Sequence, residues 1–310
     1  MIVTFQGNGG THNVTFEELK LEFLFRNFEI EKLVEIELES DELSSDDLCE
    51  LLTLNHIRYV RSLSLASNTL DKKCIEALAY SPALKNLRML RNLDLSNCSI
   101  SAEDLNKLGQ GNALNQVTSV RLGTNKSLVL GPDVLFLIEL AFPKLQELGF
   151  SGNSIRDLSW EMEPNHNSNN NEISTLDISY CRVSSPQEIW NVCNSPQLKN
   201  LTNIDFSNIN IGSSGLEDIL SSPLWRRINR LALRDCQLTG SSLSNFLAYE
   251  NVESNLKFLD IGYNSFSSHS IKSFLNTRVF GRLELLDLTK CELDHGALVA
   301  IASNSYSNNL

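Results

Sequence analysis

The sequence predicts an α/β solenoid made of stacked strand–turn–helix units. Two observations lead to this fold class. An eleven-residue apolar pattern recurs at intervals of 27 to 30 residues, and each copy is followed by apolar residues at helical spacing. One unit of this size cannot bury its apolar face alone, so stacked units must share one long core.

The recurring pattern is apolar-x-x-apolar-x-apolar-x-x-(Asn or Cys)-x-apolar. Its clear copies begin at Val60, Leu90, Leu145, Ile173, Ile228, Leu256 and Leu283, and weaker copies begin at Leu33, Val117 and Leu201. Positions four and six point the same way, because strand side chains alternate between two faces. Each copy therefore predicts a short strand with one buried face.

The ninth position marks the point where the chain turns inward after each strand. Its residues, in chain order, are Asp41, Asn68, Cys98, Asn125, Asn153, Cys181, Ile209, Cys236, Asn264 and Cys291. An Asn amide can bond several buried backbone groups, and a Cys thiol can do so weakly while packing as a small apolar group. Four of the seven cysteines occupy this position, which favours a structural role over metal binding. Local irregularity is predicted at three places that break the pattern. Asp41 and Ile209 stand at the ninth position, and Ser127 stands where the pattern has an apolar residue.

The second half of each unit is predicted to be helical. Helix caps are expected at Ser44, Asp71, Ser101, Ser185, Ser214 and Asp294, with capping boxes at Ser101–Asp104 and Ser185–Glu188. Helices should stop at the Ser-Pro pairs 81–82, 195–196 and 222–223, since proline cannot continue a helix. Cys49, Cys74 and Cys193 fall in these segments and are expected to be buried or half-buried.

With these motifs the chain resembles the leucine-rich-repeat family, in particular its ribonuclease-inhibitor-like class with long strand–helix repeats and alternating Asn and Cys. The resemblance covers residues 33–303 as ten repeats of about 28 residues. It implies a curved solenoid (horseshoe) with a concave parallel β-sheet and convex helices.

The two ends and one interruption depart from the repeat. Residues 1–32 are expected to form an N-terminal cap, in which Val3, Phe5 and Asn8 suggest a degenerate repeat and Thr15 opens a helix. Residues 304–310 form a polar tail. The Asn-rich segment 165–171 predicts a loop, and Trp160 before it is expected to fill the core.

Bulk composition narrows the class of partner. The formal net charge is −12, which disfavours nucleic acid, because phosphate binding needs a basic patch. No apolar run is long enough to span a bilayer, so no membrane association is expected.

An odd number of cysteines and an N-terminus without signal-peptide features favour a reducing, cytoplasmic location. For an effector translocated by a pathogen, this would be the host cytoplasm.

Catalytic and cofactor motifs are missing from the sequence. There is no phosphate-binding glycine loop, no HExxH and no CxxC, and the five histidines show no metal-ligand spacing. We therefore expect no enzymatic activity, no cofactor and no metal.

The outward positions of the strands carry the functional prediction. Positions three, five and seven point away from the core, and position eight lies at the strand end. There, Tyr180, Phe258 and Tyr263 replace the small or polar residues of most other copies. Tyr and Arg are enriched among residues that carry interface energy. The predicted partner-binding residues are Tyr180, Arg230, Arg234, Asp235, Phe258, Asp260, Tyr263, Asp287 and Lys290, with Arg121, Glu37 and Glu39 elsewhere on the same face.

Three functional interpretations remain open. The first is a protein-binding module, monomeric when alone, that acts as an inhibitor or regulator by covering the active site of an enzyme with a basic surface. The second is an activator of a small GTPase, since an acidic protein of the resembled fold class has this activity. The third is an effector of an intracellular pathogen, which the Asn- and Ser-rich composition permits.

Overall fold

The computed structural model describes residues 2–7, 10–15, 32–38, 44–53, 59–82, 89–156, 172–249, 252, 254–275, 277, 279 and 282–303. The chain forms two compact units. The first contains Met1–Asn153 with Ser168–Glu172, and the second contains Ser154–Asn167 with Ile173–Leu310.

In the first unit, each strand of the main sheet from β3 onwards is followed by a helix before the next strand of that sheet, and the short β7 lies between β6 and its helix. The strands are β1 (Ile2–Gly7), β2 (Gly10–Thr15), β3 (Lys32–Glu37), β4 (Ser62–Ser64), β5 (Asn92–Asp94), β6 (Ser119–Arg121), β7 (Val129–Leu130) and β8 (Glu147–Gly149). The helices are α1 (Ser45–Thr53), α2 (Lys72–Tyr80), α3 (Ala102–Gly111) and α4 (Pro132–Ala141). The main sheet of this unit has the order β2-β1-β3-β4-β5-β6-β8, and β3 to β8 run parallel.

Strands β1 and β2 extend this sheet differently from the prediction. A degenerate repeat would add a parallel strand, whereas β1 pairs antiparallel with both β2 and β3. Only two residues separate β1 from β2, which allows an antiparallel hairpin and excludes a parallel crossover. The predicted helix opened by Thr15 lies outside the described residues.

The second unit repeats the same alternation. Its strands are β9 (Ser154–Ile155), β10 (Thr175–Asp177), β11 (Asn203–Asp205), β12 (Arg230–Ala232), β13 (Phe258–Asp260) and β14 (Leu285–Asp287). Its helices are α5 (Pro186–Asn194), α6 (Gly212–Ser221), α7 (Pro223–Arg227), α8 (Gly240–Ala248), α9 (Ser268–Leu275) and α10 (His295–Ser303), with a 3₁₀ turn at Pro196–Leu198. Strands β10 to β14 form a parallel sheet in sequence order.

The core lies under one face of each sheet, as the pattern predicts. The fourth-position side chains of the nine copies before the last, such as Leu176 and Leu231, are buried. The helices before α10 place apolar side chains in this core. In the second unit the rings of Trp225, Phe246 and Phe274 follow one another at centroid separations of 5.9 and 5.1 Å. We call the opposite face of each sheet its open face.

The ninth-position side chains form hydrogen bonds with backbone groups of the turns. Asn125 accepts bonds at Oδ1 from the N–H groups of Cys98 (3.0 Å) and Ile100 (2.9 Å) in the preceding copy. Its Nδ2 donates to Leu95 O and Leu122 O, both at 2.9 Å. Asn264 bonds in the same way to the copy that contains Cys236. Such bonds confirm the predicted structural role at seven of these positions, Asn68, Cys98, Asn125, Asn153, Cys236, Asn264 and Cys291. Ile209 is buried as an apolar side chain, and Asp41 lies outside the described residues.

Thiols at the ninth position donate to carbonyls instead. Cys98 Sγ donates to Leu65 O at 3.0 Å, and Cys236 Sγ donates to Phe206 O at 3.3 Å. Each of these carbonyls belongs to the preceding copy. The Cys therefore holds the preceding turn by one bond, and the Asn in the next copy holds the backbone of the Cys turn.

Two copies are irregular, for different reasons. Ser127 occupies an apolar position but donates its hydroxyl to Ile100 O at 2.8 Å, and the next residue, Leu128, takes the buried place. In the copy with Ile209, Gly212 adopts a left-handed φ of 56° and α6 begins there. The helix therefore starts before Ser214, and the predicted cap at Ser214 is wrong.

The other predicted helix ends are largely confirmed. Ser101 and Asp104 form the expected capping box, and α2, α5 and α6 each end directly before a Ser-Pro pair. The Ser185–Glu188 box is wrong, because Ser185 makes no capping bond and Glu188 accepts instead from Ser184 N at 2.7 Å.

One expectation about side-chain burial is also wrong. Cys49, which was expected to be at least half-buried, lies on the exposed side of α1, whereas Cys74 and Cys193 are buried. Leu247 of α8 is exposed although Leu243 and Phe246 are buried, because three apolar positions span more of the helix surface than the core covers. None of the described helices is long and apolar enough to cross a membrane.

Candidate partner-binding surface

Every described eighth-position residue adopts a left-handed backbone conformation. Its φ lies between 51° and 74° in nine copies, at Ser67, Asn97, Thr124, Gly152, Tyr180, Asn208, Asp235, Tyr263 and Lys290. This geometry turns the chain out of the strand at the same place in each copy. Gly, Asn and Asp tolerate it well, whereas other residues pay about 1 kcal/mol or more.

Two tyrosines occupy this costly position with their side chains in solvent. Tyr180 is 63% exposed and Tyr263 is 48% exposed. They gain little from burial and carry the backbone cost, so packing in the core does not explain their presence. Strained residues that persist without a stabilising role are concentrated at functional sites. The sequence predicted that these tyrosines face outward, and the structure confirms it.

The fifth-position aspartates share one structural task. Oδ1 of each accepts the backbone N–H two residues later, at 2.7 to 2.9 Å, in Asp94, Asp177, Asp205, Asp260 and Asp287. This bond fixes the exit of the strand into the left-handed turn. The second carboxylate oxygen, Oδ2, is not needed for this bond and can pair with a cation.

Arg234 connects three neighbouring copies of the second unit. Its Nη1 lies 3.3 Å from Oδ2 of Asp260 and 3.3 Å from Oδ2 of Asp287. Its guanidinium carbon stands 4.5 Å from the ring centroid of Tyr263, in cation–π geometry. A Cβ on Gly262 would lie 3.4 Å from Nη1 and 3.1 Å from Asp260 Oδ1, so glycine leaves room for this cluster. Arg234 therefore positions Tyr263.

The acidic row on the open face is neutralised at one end only. In register across β10 to β14, the fifth position holds Asp177, Asp205, Ala232, Asp260 and Asp287. Bonds from Thr289, and then Arg234, hold the pKa of Asp287 below its ordinary value. Burial, with Asp177 and Asp260 adding to it, raises the pKa of Asp205. Within the described residues, no cation lies within 4.0 Å of Asp177 or Asp205.

An apolar pair lies beside these acids. The third position holds Arg230, Phe258 and Leu285 on three adjacent strands. Phe258 is half-buried, while Arg230 and Leu285 are exposed. Leu285 was not among the predicted binding residues, although the criterion that selected Phe258, an apolar residue at an outward position, also selects it. Asp235 and Lys290 complete the group as exposed residues of the left-handed turns. The structure thus brings the nine predicted residues of the second unit onto one face and its turns.

The first unit carries its own acidic groove on the open face. A cavity of about 280 Å³ is lined by Glu35, Glu37, Asp94, Glu147 and Arg121. Arg121 Nη1 lies 3.6 Å from Asp94 Oδ2 and is largely in solvent. Glu37 and Arg121 therefore lie together, as expected for residues of one face. Glu39 lies outside the described residues.

Side chains that could bind a metal ion do not converge in the described part of the chain. No group of three or more His, Cys, Asp or Glu side chains there could hold a metal ion. Burial raises the pKa of the Cys98 thiol to about 11 and that of Cys236 to about 12. These thiols are therefore protonated and unreactive near neutral pH.

Comparison with known proteins supports the fold. The Leucine Rich Repeat family profile matches residues 89–110, which is one copy of the pattern and part of its helix. No curated protein sequence matches the chain significantly. Three solved structures are similar to it at low identity, and the chain covers only part of each of them.

The TLR13–ssRNA13 complex has a TM-score of 0.53 and 18% identity, with 84% of this chain and 36% of that chain covered. An internalin (inlF) from Listeria monocytogenes has a TM-score of 0.43 and 16% identity, covering 83% and 67%. Rad7, solved in complex with Elc1 in yeast, has a TM-score of 0.47 and 15% identity, covering 89% and 60%. The parallel sheets, the alternating helices, the family profile and the match to the TLR13 structure show that the chain has a leucine-rich-repeat fold.

Proposed function

We propose that this protein is a non-enzymatic interaction module that binds another protein on the open face of its second unit. The observation that carries the proposal is the pair of exposed tyrosines, Tyr180 and Tyr263, at left-handed positions where smaller residues would be less strained. A side chain that costs stability and stands in solvent is best explained by a contact with a partner.

The charge of the face indicates the chemistry of the partner. Asp177 and Asp205 have no cation within reach among the described residues, and burial already disfavours the charge on Asp205. An Arg or Lys from a partner would fill the space beside Ala232, where the row of aspartates is interrupted. The partner surface is therefore basic, and the apolar contacts of Phe258 and Leu285 would supply the remaining affinity.

The biological form of this module is the finer part of the proposal. We assign the chain to the ribonuclease-inhibitor-like class with ten repeats, and we favour an inhibitor or regulator that covers the active site of an enzyme. The alternatives are a small-GTPase activator and a pathogen effector. Adding candidate GTPases and following GTP hydrolysis tests the first alternative.

RNA is a less suitable ligand than protein. The TLR13 structure was solved with single-stranded RNA, but the likeness at 18% identity concerns the fold only. The open face here presents unneutralised carboxylates, and phosphate groups would be repelled. A single-stranded oligonucleotide should therefore show no saturable binding in an anisotropy titration.

The decisive experiment compares two variants in affinity capture followed by mass spectrometry. In the double variant Tyr180→Asn and Tyr263→Asn, the backbone conformation is retained, because Asn tolerates it. The control is Tyr80→Asn, since Tyr80 is 44% exposed on α2. A partner retained by the wild type and by the control, but lost from the double variant at an unchanged melting temperature, supports the proposal.

The proposal fails if the double variant captures the same proteins as the wild type. Binding kinetics of the captured partner give a second check. Steering by the acidic face predicts an association rate that falls steeply as salt is added, with a smaller effect on dissociation. A flat salt series would contradict the role of the carboxylates.

A further inference from the structure

A second polar cavity lies at the other end of the strands in the second unit. Its volume is about 680 Å³, and its walls include Thr202, Arg227, Asn229, Lys257 and Arg282. Thr202, Asn229 and Lys257 occupy the second position of three consecutive copies, one residue before β11, β12 and β13. The cavity is therefore separated from the left-handed turns by the length of each strand.

Two arginines hold fixed positions in this cavity through bonds to backbone carbonyls, and neither has a counter-ion among the described residues. Arg227 is half-buried and donates from Nε to Leu201 O (3.1 Å) and from Nη2 to Leu198 O (3.0 Å). Arg282 donates from Nη1 to Ser254 O at 3.0 Å. Among the described residues, no carboxylate lies within 4.0 Å of either guanidinium. The remaining N–H groups of both side chains are left for another acceptor.

This lack of a counter-ion is unexpected in so acidic a chain. With a net charge of −12, carboxylates are abundant, and the neighbouring Lys257 is paired with Glu284 at 2.7 Å. Burial lowers the pKa of Arg227, which means that its charge is held against a desolvation penalty. A half-buried cation of this kind is stabilised by an anion that approaches it.

Asn229 contributes an unpaired hydrogen-bond acceptor to the same cavity. Its Oδ1 is buried and finds no hydrogen-bond partner among the residues that the structure describes, and Asn229 lies in the wall beside the arginines. A buried acceptor left unpaired costs about 1 to 3 kcal/mol. A ligand that satisfies the whole cavity must therefore bring both an oxyanion and an N–H donor.

We propose that this cavity binds an acidic side chain of a peptide segment, with its carboxylate or phosphate group on Arg227 and Arg282 and a peptide N–H on Asn229. The guanidinium group matches both oxyanions, because its planar N–H groups bond two oxygens at once. A peptide supplies the oxyanion and the amide donor from one molecule. This site is separate from the open face and gives the second unit two surfaces of opposite charge.

The test is a fluorescence-anisotropy titration of the full-length chain with three labelled peptides. The peptides share the sequence Gly-Ser-X-Ser-Gly, where X is Glu, phosphoserine or Gln. We expect saturable binding of the Glu or the phosphoserine peptide, and the comparison of these two identifies the preferred oxyanion. The Gln peptide, which keeps the amides and lacks the charge, should bind at least about tenfold more weakly.

Protein variants locate the binding in the cavity. Arg282→Gln should weaken binding by at least about tenfold through loss of a charged hydrogen bond, and the exposed side chain of Arg282 makes this change tolerable to the fold. Arg226→Gln is the matched control, because Arg226 is an exposed arginine of α7 outside the cavity, and it should leave the affinity unchanged.

Three results would overturn the proposal. The first is the absence of saturable binding by either acidic peptide. The second is equal loss in Arg226→Gln and Arg282→Gln, which would show a diffuse charge effect. The third is competition by inorganic phosphate with an affinity equal to that of the peptides, since the site would then take a small anion and make no use of the peptide amide. None of these outcomes depends on Tyr180 or Tyr263, so the proposed function is tested independently.

Discussion

Replacing Asn125 by Leu should destabilise the first unit far more than the same change at Asn153. Both residues occupy the ninth position and both are buried. They differ in the bonds that they make. Asn125 pairs two backbone N–H groups through Oδ1 and donates through Nδ2. Asn153 donates to Leu122 O and Phe150 O, and its Oδ1 has no partner in the described part of the chain.

The expected magnitudes follow from these bonds. Asn125→Leu leaves two buried N–H groups unpaired, at about 1 to 3 kcal/mol each, and removes the bonds to two carbonyls that contribute about 1 kcal/mol each. We therefore expect a loss of about 4 to 8 kcal/mol in the free energy of unfolding, before the contribution of Leu burial. Asn153→Leu loses two carbonyl bonds of about 1 kcal/mol each and removes an unpaired acceptor that costs about 1 to 3 kcal/mol, so the net change should lie between a gain and a loss of about 1 kcal/mol. The added apolar burial of Leu is common to both variants and cancels in the comparison.

Urea unfolding followed by circular dichroism measures the difference, with the slope of the transition confirming that the same unit unfolds in each variant. Equal losses in the two variants would refute the reasoning, because the Oδ1 bonds would then contribute nothing. A loss below about 1 kcal/mol for Asn125→Leu would show that water or a local shift satisfies the two N–H groups.

Three further predictions follow from the described geometry. Tyr180→Gly should leave the unfolding midpoint unchanged or raise stability by up to about 1 kcal/mol, because glycine adopts the left-handed φ without strain; a clear loss in thermal unfolding would contradict this. In the native protein one thiol, that of Cys49, should react rapidly with an aromatic disulfide reagent, and the Cys49→Ser variant should lack this phase, since the other six thiols are buried. The folded-state pKa values of Cys98 and Cys236 are raised from 9.0 to about 11 and about 12, so the unfolded chain loses these protons first. The stabilisation that the raised pKa values provide is therefore fully present below pH 9 and is lost as pH rises from 9 to about 12. In Cys236→Ala, the free energy of unfolding should therefore fall less steeply with pH in this range than in the wild type.

The repeat pattern was sufficient to place the strands and the buried face, because a period of about 28 residues constrains strand and helix together. It also identified the Asn and Cys residues that bond the turns. The sequence did not reveal the pairing of Arg234 with Asp260 and Asp287, since that contact spans three copies and depends on the side-chain rotamer. The same limit applies to Arg227 and Arg282, whose cavity forms only when consecutive copies are stacked.

Some local errors have specific causes. Ser214 satisfies the composition rule for a helix cap, but the left-handed Gly212 starts the helix earlier. Helical periodicity placed Cys49 at the border of the apolar face, where a rotation of a few tens of degrees decides between burial and solvent. The left-handed eighth position could have been inferred from its Ser, Asn, Asp and Gly residues, but Tyr180 and Tyr263 obscure that preference.

The bonds made by Asn125 and Asn264 also imply an order in which neighbouring copies are completed during synthesis. Each of these side chains reaches back to N–H groups of the copy that precedes it in the chain. During synthesis on the ribosome, the N–H groups of Cys98 and Ile100 cannot form their native bonds until about one more repeat has been made, because their acceptor is Oδ1 of Asn125. Water must occupy the Cys98 turn in the meantime and must leave it when Asn125 arrives. Each newly made copy in such a pair thus closes the one before it.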